Sequence, residues 1–264
     1  MLENPSHKKW FFPIKTAFHP SYKLYCFPYA GGSNTTYRDW ADRFPNHLNI
    51  YTASLPGRGI RSAEGLSGDI WGISEEIAKV ISSSNEINFS FYGHSFGAIL
   101  AFEVACRLKE QQVQLPEKLI VSGCNAPHIT NTTRPPAHKM NDQEFRSYID
   151  LLNGIPEEVK STPALMDYIL PILKADIMAM DTWENKSKLA LATPITAIMG
   201  DSDPVTDEVS VAKWRDYTTS DFEALSFPGG HFFINTCKTE LLKKINEILF
   251  RSNHEPRKLG QALL

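Results

Sequence analysis

A helix that crosses a membrane needs about 18–20 consecutive apolar residues, and no such run occurs anywhere in this 264-residue sequence. Residues 1–15 mix charged and aromatic side chains and lack the run of small apolar residues that marks a secretory leader. Cysteine is scarce. Cys26, Cys106, Cys124 and Cys237 stand far apart, with none of the close pairs that bind metal or exchange disulfides. Four reduced, mostly buried thiols in a cytoplasmic protein are the expectation. A basic excess is missing too. Lys and Arg total 27 against 30 Asp and Glu, a formal net charge of −3, so the electrostatic footprint of a nucleic-acid binder is absent. There is no internal repeat and no low-complexity segment, and no constellation of ligand residues implies a metal or a cofactor.

What remains is an ordinary globular composition, 42% hydrophobic and 22% charged. The length suits one domain with an added sub-domain, and monomer is the default expectation. Short apolar runs at 23–27 (KLYCF), 49–53, 88–92 (NFSFY), 118–122 (KLIVS), 195–199 (ITAIM) and 222–227 read as strands. Residues 70–81 place Ile70, Ile73, Ile77 and Val80 or Ile81 on one helical face. Residues 96–108 read as a strongly apolar helix and 234–250 as a closing one. Strands alternating with helices imply an α/β protein, a mostly parallel central sheet flanked by helices.

Residues 127–185 break that rhythm and hold no convincing strand. Asn141 with Glu144 makes a capping-box pattern, Phe145, Tyr148, Ile149 and Leu152 then share a face, and Gly154 supplies a stop. Thr162-Pro163 opens a second helix, and Pro171 starts or kinks a third. This predicts a helical lid at 127–185 inserted into a core formed by 1–126 and 186–264, with a polar tail at 251–264 expected to be disordered.

Gly93-His94-Ser95-Phe96-Gly97 follows a predicted strand and opens a predicted helix, the context a nucleophile elbow requires. The turn is so tight that side chains at Gly93 and Gly97 would meet neighbouring backbone. The helix beneath Ser95 favours developing negative charge. A serine hydroxyl needs a base. Of eight histidines, His7 and His254 fall toward the chain ends, where fraying is expected, and His94 belongs to the elbow and points away from the serine. His231 follows the last strand and two glycines that let its loop aim an imidazole at the elbow. The acid belongs between them, after a strand, and Gly200-Asp201-Ser202-Asp203-Pro204 offers two. Three residues of loop let Asp203 turn back over the sheet, whereas Asp201 suits a turn-stabilising role. The order Ser, acid, His is that of the α/β-hydrolase fold. The oxyanion donors expected there are the Phe96 N–H and, from the loop 27–33 (FPYAGGS), the Ala30 N–H.

Together FPYAGGS at 27–33, LPGRG at 55–59, GHSFG at 93–97, GDSDP at 200–204 and GGHF at 229–232 resemble type II thioesterases, the editing enzymes of nonribosomal peptide and polyketide synthases. The resemblance runs over nearly the whole chain. It implies hydrolysis of acyl groups from the phosphopantetheine arm of a carrier protein, with Ser95, Asp203 and His231 as triad, Ala30 and Phe96 as oxyanion donors, and no cofactor beyond the arm the substrate carries. Integrated chain-terminating thioesterases often place the acid after the strand equivalent to 118–122. Gly123-Cys124-Asn125 has no carboxylate there, which favours the editing type. No chemistry follows for Arg58 or Arg61, and a loop-shaping role is the reading adopted. Tyr29, Met166, Ile169, Leu170 and Ile177 are the candidate acyl-binding residues, with Leu165 a further lid side chain for the same channel. Met140, Met166, Met178 and Met180 lie in the insertion, where adaptable thioethers serve a broad acyl pocket or simple core filling equally well. The same motifs also resemble medium-chain thioesterases of fatty-acid synthesis. A carboxylesterase or lipase shares the fold and triad. A non-catalytic binding protein on this fold conflicts with the intact triad.

Overall fold

The apolar runs pair edge to edge in a single sheet. The computed structural model describes residues 5–84, 88–129, 135–187 and 189–250. The tail at 251–264 and His254 lie outside the described residues. The strands are β1 (Phe11–Lys15), β2 (Tyr22–Phe27), β3 (Leu48–Ala53), β4 (Phe89–His94), β5 (Leu119–Ser122), β6 (Ile195–Gly200) and β7 (Phe222–Phe227). Their spatial order is β1-β3-β2-β4-β5-β6-β7, and every neighbouring pair is parallel except β1 with β3. The helices are α1 (Pro5–Trp10), α2 (Ile70–Ser83), α3 (Phe96–Glu110), α4 (Asp142–Leu152), α5 (Glu157–Lys160), α6 (Pro163–Thr182), α7 (Glu208–Ala212), α8 (Phe233–Thr236) and α9 (Lys238–Phe250). Among the described residues no helix is long and apolar enough to cross a membrane.

Side chains alternate along the strands and so feed two cores, one on each face. Tyr25, Phe27, Phe89 and Phe91 pack toward α2 and α3, while Leu24, Cys26, Tyr92 and Ile120 pack toward α9. Helix α3 is buried along nearly its whole length, including Ala98, Ala101, Phe102 and Ala105, which accounts for its apolar sequence. Helix α2 is one-sided and starts where Asp69 Oδ1 accepts the Gly72 N–H at 3.0 Å.

Four local expectations change. Residues 5–15 are ordered: α1 and β1 close one edge of the sheet, and His7 is buried beside Phe11, Tyr25 and Tyr51. The closing helix is two helices, because the chain leaves helical geometry at Cys237 (φ −108°). Helix α4 does carry the full Asn141–Glu144 capping box, but its stop is Asn153 in the left-handed conformation (φ 52°) rather than Gly154. Pro171 starts no helix, since α6 runs through it. Segment 127–185 leaves the sheet after β5 and returns before β6, bringing α4, α5 and α6 across the ends of the parallel strands. Loops at those ends are where an open parallel sheet gathers its functional groups.

Candidate active site

Ser95 stands between β4 and α3 with φ 55° and ψ −118°, a conformation disfavoured for any residue with a side chain. Its own N–H donates to Ser122 O on β5 at 2.7 Å. A Cβ on Gly93 would lie 2.1 Å from Gly97 O, and one on Gly97 would lie 2.0 Å from Phe27 O. Both glycines are therefore required for the backbone to close around the serine. His94 turns the other way: it is fully buried, and its Nδ1 lies 2.9 Å from Ser122 Oγ. Burial, reinforced by the neighbouring His231, holds its imidazole well below the ordinary 6.5, so it is neutral.

His231 follows β7 and is buried, with its ring 5.1 Å from that of His94. Its Nδ1 lies 2.8 Å from Asp203 Oδ2, while Asp203 Oδ1 accepts the Val205 N–H at 2.9 Å. A carboxylate on Nδ1 assigns the proton to that nitrogen and leaves Nε2 as the basic one. Asp201 does something else. Its Oδ1 accepts the Gly229 N–H and the Ser202 hydroxyl, each at 2.9 Å, so it pins the loop two residues ahead of His231. Those donors, Gly229 first, hold its carboxyl below the usual carboxylate range.

After β2 the chain turns sharply, with Gly32 N–H donating to Tyr29 O at 2.8 Å and Gly31 at φ 79°. Gly31 N–H donates to Asp176 Oδ2 on α6 at 2.8 Å. Two of the three consecutive amides are thus committed, and among the described residues none accepts the Ala30 N–H. Phe96 N–H opens α3, where a helix supplies no internal acceptor. Ala30 and Ser95 both face one cavity.

That cavity is large, about 1280 Å³, with Ser95 and His231 in its wall and side chains of segment 127–185 lining much of the rest. Tyr29, Ile169 and Ile177 line it. Met166 and Leu170 do not. The α6 residues that border it are Leu165, Tyr168, Ile169, Leu173, Ile177, Met180 and Asp181, with Ile169, Leu173 and Ile177 four apart on one face, and Met166 and Leu170 lie on the neighbouring stripe. Leu170 instead packs beside a small separate core around Phe145 and Ile149. Of the four methionines in the insertion only Met180 borders the cavity, and Met140 is core filling. Cys124 borders it too, but burial pushes its thiol up to about 12, which removes it as a nucleophile. Sequence reasoning missed Asp176. It is buried in α6 and paired with Arg58 of the LPGRG loop, a partner 118 residues away.

A family model described as Thioesterase domain matches residues 22–249. The chain belongs to the thioesterase family. The gramicidin S biosynthesis protein GrsT of Aneurinibacillus migulanus is 33% identical over 235 residues, covering 89% of this chain and 91% of the relative. The medium-chain S-acyl fatty acid synthase thioesterase of Rattus norvegicus is 30% identical over 217 residues, 81% of each chain. The solved structure of BorB, the type II thioesterase from the borrelidin biosynthetic cluster, superposes with a TM-score of 0.82 at 32% identity, covering 91% of this chain and 97% of that one. This thioesterase is thus a serine hydrolase of acyl thioesters on the α/β-hydrolase fold, and its cavity is built at the end of the sheet where that fold gathers its chemistry.

Proposed function

We propose that this chain is a type II thioesterase of a nonribosomal peptide or polyketide synthase, removing misprimed or stalled acyl groups from the phosphopantetheine arm of a carrier protein. The observation that carries the reading is similarity along nearly the full chain to GrsT, a gramicidin S biosynthesis protein, and to BorB, the type II thioesterase of the borrelidin biosynthetic cluster. The acid placed after β6, with no carboxylate in Gly123-Cys124-Asn125 after β5, supports the editing type.

Ser95 Oγ attacks the thioester carbonyl as His231 Nε2 takes its proton. Negative charge gathers on the former carbonyl oxygen, where the Ala30 and Phe96 N–H groups meet it. Collapse expels the pantetheine sulfur, which recovers a proton from His231, and leaves the acyl group on Ser95. Water, deprotonated by His231, then attacks the acyl-enzyme, and the carboxylic acid leaves as Ser95 regains its proton. Asp203 keeps the imidazole oriented and stabilises its charged form throughout. No cofactor enters this sequence, and the enzyme acts as a monomer in the cytoplasm with the carrier domain as its only macromolecular partner.

Intact-protein mass spectrometry of an acetyl-loaded carrier protein tests the reading. Loss of acetyl with the wild type and not with Ser95→Ala is the expected result. Retention with both, while a simple oxygen ester is cleaved, removes the carrier assignment. A second reading, medium-chain acyl release in fatty-acid synthesis, is favoured by the rat relative and by the apolar wall that α6 gives the cavity. Faster cleavage of decanoyl- than of acetyl-loaded carrier would select it.

A further inference from the structure

The LPGRG loop and the lid meet in a buried ion pair whose position suggests more than anchorage. Arg58 and Asp176 are almost completely removed from water, at 3% and 0% exposure. Both guanidinium nitrogens engage the carboxylate, Nη2 to Oδ1 at 2.7 Å and Nη1 to Oδ2, and Arg58 Nε donates to Pro56 O at 3.4 Å. Such a pair is a poor device for simply docking a lid. Removing two charges from water costs about as much as their attraction returns, and apolar residues of similar volume often hold such a site as well or better.

The third partner of Asp176 gives it a different task. Oδ2 also accepts the Gly31 N–H, which belongs to the Ala30–Gly31 peptide. That peptide is the middle one of the four-residue turn closed by Gly32 N–H and Tyr29 O, and Gly31 at φ 79° is the third-position geometry of a type II turn. The middle peptide of such a turn is the one that rotates when type II converts to type I, and glycine offers little resistance. A carboxylate facing its N–H holds it in place, since rotation would bring the Ala30 carbonyl oxygen against a negative charge. Leu173, one helical turn before Ile177 on the same α6 face, packs closely against Gly31 as well. A Cβ on Gly31 would sit 2.6 Å from Leu173 Cδ2.

We propose that Asp176, oriented by Arg58, is a positioning residue for the oxyanion loop: by tethering the Ala30–Gly31 peptide to α6 it fixes the turn, and with it the preceding Tyr29–Ala30 peptide that presents the Ala30 N–H to the reacting oxygen. Docking of α6 and assembly of the oxyanion hole are then one event. The inference rests on the reading of Ala30 as an oxyanion donor. It gives the LPGRG arginine a role that the loop's own sequence does not state.

The test is the rate at which a fluorophosphonate labels Ser95, because attack at phosphorus places an oxygen in the same site and needs no carrier protein. The variant is Arg58→Met with Asp176→Leu, which keeps the lid interface filled. Its melting temperature is expected to stay near that of the wild type while labelling slows at least about tenfold, as does kcat for a short acyl ester with KM little changed. Wild-type labelling in the folded double variant overturns the proposal, and so does a raised KM at unchanged kcat, which is what a lid anchor alone predicts. Should the double variant fail to fold, Asp176→Asn decides: slowed labelling supports the positioning role and wild-type labelling sinks it. A wild type that is labelled but leaves acyl-carrier thioesters intact counts against the editing function and not against this loop.

Discussion

Ser95 is held at φ 55° because its neighbours leave no other route for the backbone. Adding one carbon at Gly93 or Gly97 brings it within about 2 Å of a carbonyl oxygen, so Gly93→Ala and Gly97→Ala are expected to give insoluble or unfolded protein by circular dichroism. The two candidate acids separate at this scale as well. Asp203→Ala strips His231 of its only carboxylate among the described contacts, and kcat should fall on the order of 10³–10⁴-fold. Asp201→Ala removes a loop contact on an exposed side chain and should cost a few-fold at most. Steady-state hydrolysis of one thioester by both variants checks this, and the reverse ranking would reassign the acid. Ser95 and His231 were legible because each announces itself in its own loop, glycines around one and glycines before the other. The offset from the strand end already favours Asp203 over Asp201, but its contact with His231 reaches across 28 residues and the Arg58–Asp176 pair spans 118, so neither partnership is written in any local window.

At the scale of elements, α6 is the one whose sequence misleads. Apolar residues occur on nearly every side of it, so periodicity alone does not say which stripe faces the substrate. The structure selects the stripe of Ile169, Leu173 and Ile177 and leaves Met166 and Leu170 beside it. Ile177→Trp is therefore expected to shorten the acceptable acyl chain, lowering kcat/KM for a decanoyl relative to an acetyl thioester by about tenfold or more, while Leu170→Ala leaves that ratio unchanged. A chain-length series with both variants tests the assignment. Strand β1 escaped for a different reason. FFPIK contains a proline, which argues against a central strand, but β1 lies on the sheet edge and shifts register between Pro13 and Lys15, where a missing N–H is tolerated. The other six strands are short runs bounded by turn residues, five of them buried and β7 half-exposed at the opposite edge, which is why the sheet could be read at all.

The stability of the whole molecule should carry the mark of His94. The folded chain holds this imidazole well below 6.5, whereas the unfolded chain lets it protonate near that value. Below about pH 6.5 the unfolded state binds the extra proton, so stability is full above that pH and is lost as pH falls toward the depressed folded value. One pH unit into that window costs up to ~1.4 kcal/mol, or about 2–4 °C in Tm for a chain of this size. Thermal melts between about pH 7.5 and 5.5 should show the decline. His94→Asn, which keeps a polar atom facing Ser122, should flatten it, and an unchanged slope would assign the effect to another group.

The proposed reacting groups leave the sheet from β2, β4, β6 and β7, and among the described residues the loop after β5 supplies none. The insertion departs from that silent strand. It is a socket, a place where chain length can change without moving a reacting atom. A lid transplanted there from a relative should bring its own acyl selectivity with it and leave the hydrolytic chemistry behind. One group has to travel with it: a carboxylate set to meet Arg58.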